Sequence, residues 1–156
     1  MTPTLTAPYT GTLPTFFLAA TLALATPFVA AQSMVSIQGA SVNMRSGPGL
    51  KDPVQWTLSK GYPLRVTARR GDWLQVTDFE GDSGWVSRRL TGSTPHHVVK
   101  VPQANLRSGP GTGYRKVGEA TYGEVFRTVE KRPSWVRVSA GDGRKGWIAR
   151  SLLWGW

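Results

Sequence analysis

The chain has 156 residues, a formal net charge of +10 and no cysteine. Disulfides and thiolate metal sites are therefore excluded, and packing alone must stabilise the fold. The positive charge favours an anionic partner, and such attraction weakens with salt.

Residues 1–31 contain no Asp, Glu, Lys or Arg. The apolar run from Phe16 to Ala25 is shorter than the ~20 residues a membrane-spanning helix needs, Pro27 interrupts it, and Val29-Ala30-Ala31 places small residues before Gln32. This pattern predicts a signal peptide over 1–31, export to the periplasm or cell envelope, and no transmembrane span after cleavage. The n-region lacks Lys and Arg, which leaves two alternatives: a retained N-terminal anchor, or a cytoplasmic protein starting at Met34.

Beyond the leader, short alternating runs punctuated by Gly and Pro predict an all-β chain. Strands are expected at Val35–Gln38, Ser41–Arg45, Val54–Leu58, Pro63–Ala68, Trp73–Thr77 and Gly84–Ser87, and again at His97–Val101, Ala104–Arg107, Lys116–Ala120, Glu124–Val129, Trp135–Ser139 and Lys145–Ala149. The second set repeats the first. Asn43-Met44-Arg45-Ser46-Gly47-Pro48-Gly49 returns as Asn105-Leu106-Arg107-Ser108-Gly109-Pro110-Gly111, and the offset of 62 residues also aligns Trp73 with Trp135 and Gly84-Trp85 with Gly146-Trp147. In each Ser-Gly-Pro-Gly a type II turn is expected, with Gly49 and Gly111 at positive φ. In Trp73-Leu74-Gln75-Val76 and Trp135-Val136-Arg137-Val138, Trp and Val are expected on one face, with Gln75 and Arg137 on the other. Domains of about 60 residues have little core to spare, so most of the seven tryptophans, including Trp73, Trp85, Trp135 and Trp147, are expected to be buried.

Each copy resembles the bacterial SH3 domain. The matching residues are the N-x-R-S-G-P-G turn, a central glycine (Gly61, Gly123), a Trp-x-x-Val strand and the late Gly-Trp. The resemblance implies two tandem small SH3-like β-barrels at 32–92 and 95–156, each closed by a helical turn at Arg88–Leu90 and Arg150–Leu152. It also implies peptidoglycan or another anionic envelope polymer as partner; family members often accompany cell-wall hydrolases, but no catalytic domain is read beside these two modules, so a non-catalytic role is expected. The A-L-Y-D-Y-type motif of proline-peptide binders is missing, so that specificity is not implied. The alternatives are an adaptor that docks an envelope enzyme or sensor and, if Met34 is the start, a cytoplasmic nucleic-acid binder. With the leader in place no nucleic-acid partner is expected.

Matched positions that differ between the copies mark where the two have diverged in use. Trp56 faces Gly118, Tyr62 faces Glu124, Tyr114 faces Asp52 and Tyr122 faces Lys60, so these four aromatics are candidate ligand contacts through stacking. Arg45 and Arg107 recur in the turn, where a guanidinium can tie carbonyls together or read a carboxylate bidentately. His96 and His97 are adjacent and should face opposite ways, which disfavours a shared metal. No metal or cofactor is expected. No cysteine nucleophile or G-x-S-x-G elbow is present, and Glu80 and Asp82 lie in a turn, so no catalytic site is expected either.

Overall fold

The computed structural model describes residues 33–156; the expected leader lies outside them. Two antiparallel sheets of seven strands account for nearly all of this region. The first contains β1 (Met34–Ile37), β2 (Ser41–Arg45), β3 (Val54–Ser59), β4 (Pro63–Arg70), β5 (Trp73–Thr77), β6 (Ser83–Ser87) and β7 (Thr91–Gly92), in the spatial order β3-β2-β6-β5-β4-β1-β7. The second repeats this order with β8 (His96–Val99), β9 (Gln103–Arg107), β10 (Lys116–Thr121), β11 (Val125–Lys131), β12 (Trp135–Ser139), β13 (Lys145–Ala149) and β14 (Leu153–Gly155). One 3-10 turn, at Arg88–Leu90 and at Arg150–Leu152, precedes the last strand of each. Among the described residues no helix is long and apolar enough to cross a membrane.

The sheets curl without closing. Register shifts between Met44 and Arg45 and between Val66 and Ala68 bend the first sheet, and matching shifts bend the second. The end strands β3 and β7 each pair along one edge only, with β2 and β1, and do not pair with each other. The barrels implied by the family resemblance are therefore open.

The face assignment of the tryptophans needs correction. A strand has a period of two, so Trp73 and Val76, three apart, point to opposite sides. Leu74 and Val76 are buried while Trp73 and Gln75 are half-buried on the other face, and β12 repeats this with Val136 and Val138 inside. Aliphatic side chains, with Phe126 in the second copy, make the two cores. Trp73, Trp85 and Trp135 are only partly covered, and Trp147 alone of the repeated four is buried, at 7% exposure.

The turn geometry differs as well. Neither Gly49 nor Gly111 has positive φ. The glycine requirement in this turn is instead one of space, at the preceding glycines: a Cβ on Gly47 would lie 2.7 Å from the Asp52 carboxyl group, and one on Gly109 would lie 2.3 Å from the Tyr114 ring. The turn is tight because the chain folds its own later side chain back over it.

Candidate functional site

The two recurrent arginines serve these turns. The Arg45 guanidinium donates to the Asp52 carbonyl at 2.8 Å, and Arg107 donates to the Tyr114 carbonyl at 2.9 Å. Each contact uses one of five N–H donors and leaves the others for a second partner.

The four divergent aromatics do not form one surface. Tyr62 and Tyr122 come together around Phe79, with ring centroids 6.3 Å apart for Tyr62–Phe79 and 5.3 Å for Phe79–Tyr122. Tyr62 and Phe79 belong to the first module and Tyr122 to the second, so this cluster is a seam between the copies. Tyr122 also donates a hydrogen bond to Glu80 across that seam. Burial raises the Tyr62 phenol well above its ordinary range, with the charges of Asp78 and Glu80 adding to the effect. Trp56, 53% exposed on edge strand β3, and Tyr114, 51% exposed in the β9–β10 loop, are outward-facing.

Other contacts bind the modules together. Ser36 Oγ donates to the Thr94 carbonyl at 2.7 Å, His96 Nδ1 lies 3.0 Å from Ser36 Oγ, and the Arg65 guanidinium stands 5.5 Å from the Trp154 ring centroid. His97 turns into the second module, where Nδ1 is 2.7 Å from Thr128 Oγ1 and burial pushes its pKa down to about 4. Carboxylate oxygens of Asp78, Glu80 and Asp82 lie within 4.8 Å of one another. Asp78 Oδ1 accepts the Glu80 and Asp82 amides at 3.0 and 2.9 Å, so this acidic group builds the β5–β6 turn.

The arrangement with the clearest binding chemistry is on the outer face of the second sheet. In the ladder β9-β13-β12, Trp147 stands opposite Arg107 on one side and Arg137 on the other. Cross-strand partners share a face, and Lys145, two residues from Trp147, joins them. Arg107, Ser108, Val117, Arg137, Lys145 and Trp147 line a cleft of about 420 Å³. Arg132 stands 5.0 Å from the Trp147 ring centroid and helps cover it. Among the described residues, none of Arg107, Arg137 and Lys145 is in an ion pair, whereas Arg132 pairs with Glu130 and Arg144 with Glu124 and Asp142. The cleft thus carries three uncompensated cations. At the matching places the first module has Arg45, Gln75 and Ser83, so it keeps one of the three cations.

Reading the sequence by repetition passed over Arg137 and Lys145. Their signal is in the sequence: both are charge differences at matched positions, where the first copy has Gln75 and Ser83.

Comparison with known proteins places these features in a family. The bacterial SH3 domain pattern matches residues 38–92, and a second bacterial SH3 domain pattern matches residues 102–153. The Bacillus subtilis (strain 168) protein YrvJ, named provisionally as an N-acetylmuramoyl-L-alanine amidase, is 29% identical over 135 residues. That alignment covers 80% of this chain, which spans only 26% of the YrvJ length. Among solved structures, an NlpC/P60 family protein from Bacillus cereus ATCC 10987 superposes with a TM-score of 0.38 at 16% identity, covering 80% of this chain and 56% of that one. The structure titled endolysin LysPBC5 CBD superposes with a TM-score of 0.33 at 18% identity, covering 80% of this chain and 93% of that one.

Proposed function

Because the chain belongs to the bacterial SH3 family, with two such domains in tandem, we propose that it is a non-catalytic module that binds a cell-envelope polymer, with peptidoglycan as the ligand. The likeness to YrvJ, whose name is that of a cell-wall amidase, supports the class of partner. The observation that carries the reading is the row Arg107–Trp147–Arg137 with Lys145 beside it. Fixed guanidinium forks read carboxylates bidentately, and a cleft lined by one sign of charge concentrates anions. Tyr114, exposed in the loop that Arg107 anchors, offers a flat face for a sugar ring. Trp56 offers a similar face on the first module. An exported chain would meet such a polymer directly, which fits the leader expected over 1–31.

The test is co-sedimentation of the full chain with purified peptidoglycan between about 50 and about 500 mM salt, a range over which exposed charge interactions are progressively screened. Binding at low salt that weakens as salt rises is expected. Replacing both Arg137→Gln and Lys145→Gln should reduce low-salt affinity by about tenfold or more and flatten the salt dependence, since charge-assisted hydrogen bonds contribute about 1.5–3 kcal/mol each. Absence of co-sedimentation at the lowest salt would overturn the proposal.

A further inference from the structure

We infer that the seam between the two modules is a second anion-binding site, assembled from Lys60 of the first module and His96 and Arg127 of the second, for a carboxylate or phosphate group. Two adjoining clefts of about 450 and about 400 Å³ share these three residues. One extends over Ser36, Gln38 and Thr94, and the other runs along Ser139, Ala140 and Gly141. Each is large enough for a small ligand. Neither is lined by a carboxylate, and among the described residues neither Lys60 nor Arg127 is in an ion pair.

Neither module makes this site alone. Lys60 lies in the turn before β4 and Arg127 on β11, and the Ser36–Thr94 and Ser36–His96 contacts hold their modules together beside them. His96 reports the local field. Its pKa is lowered chiefly by burial, with the charges of Arg127 and Lys60 acting in the same direction and the hydrogen bond to the Thr94 carbonyl opposing them. The facing strand β1 presents the neutral Ser36, and His97 on the same strand turns into its own module. The charged groups bearing on His96 are thus all cationic. An oxyanion entering the groove satisfies Lys60 and Arg127 and makes the imidazolium less costly. This site is independent of the Trp147 cleft, so either can fail without the other.

Because the chain has only two histidines, NMR titration of the full chain reads the site directly. Inorganic phosphate and acetate are the two probes, against sodium chloride at matched ionic strength. Either probe should raise the His96 titration midpoint while leaving buried His97 unmoved. A larger response to phosphate identifies a phosphoryl ligand, and a larger response to acetate a carboxylate. Lys60→Gln and Arg127→Gln, both at exposed positions, should each weaken the response about tenfold, and an unchanged His97 signal verifies that the variants fold. A His96 midpoint that responds to the probes no more than to chloride, or an undiminished response in the double variant, overturns the inference.

Discussion

His97 gives the second module a defined acid sensitivity. In the unfolded chain its imidazole takes a proton near pH 6.5, whereas in the fold burial holds the pKa at about 4. The folded state therefore binds fewer protons than the unfolded state between these values. The contribution of His97 is fully present above pH 6.5 and is lost as pH falls toward 4. From pH 7 to pH 4.5 the loss amounts to about 2 kcal/mol, at about 1.4 kcal/mol per pKa unit. The residue is only 2% exposed, so solvent screening reduces this little. His97→Gln keeps a planar polar head beside Thr128 but does not titrate. Urea unfolding followed by tryptophan fluorescence at both pH values should show wild type losing about 2 kcal/mol more than the variant. The raised Asp78 pKa, which acts in the opposite direction, and the lowered His96 pKa are common to both proteins and subtract out. Parallel pH dependences in the two proteins would refute the argument.

Two stability predictions follow from packing. Phe126 is completely buried in the second core, so Phe126→Ala should cost about 3–5 kcal/mol in chemical unfolding; a cost below about 1 kcal/mol would mean that the core collapses around the gap. Gly155 has φ +148°, and a Cβ there would lie 2.3 Å from the His96 carbonyl oxygen. Gly155→Ala should therefore cost about 2 kcal/mol or more in thermal unfolding by forcing β14 away from β8, and an unchanged melting temperature would contradict that.

The ungapped repeat made the module, its copy number and most strands legible. Alternation and turn residues act locally, and a fold requirement shared by two copies is written twice. Arg45 and Arg107 recur because each ties a turn to a carbonyl seven residues on. Short pairings were less legible: β7 and β14 exist because β1 and β8 offer them an edge, which is a tertiary fact. Large apolar area does not by itself make a tryptophan core, because strand pleating puts Trp73 and Trp85 on the face away from Val76 and Val86.

The all-β tandem, its basic balance and the positions where the copies differ are all written in the order of residues along the chain. What those differences do depends on how the strands and the two modules come together. Tyr62 and Tyr122, which looked like ligand contacts, meet at the seam around Phe79. Arg137 and Lys145, which looked like ordinary surface charge, flank Trp147 across two strand pairs. The physical reason is that a strand fixes only which side a residue faces. Its neighbours on that face come from other strands and from the other module, and no local pattern encodes them.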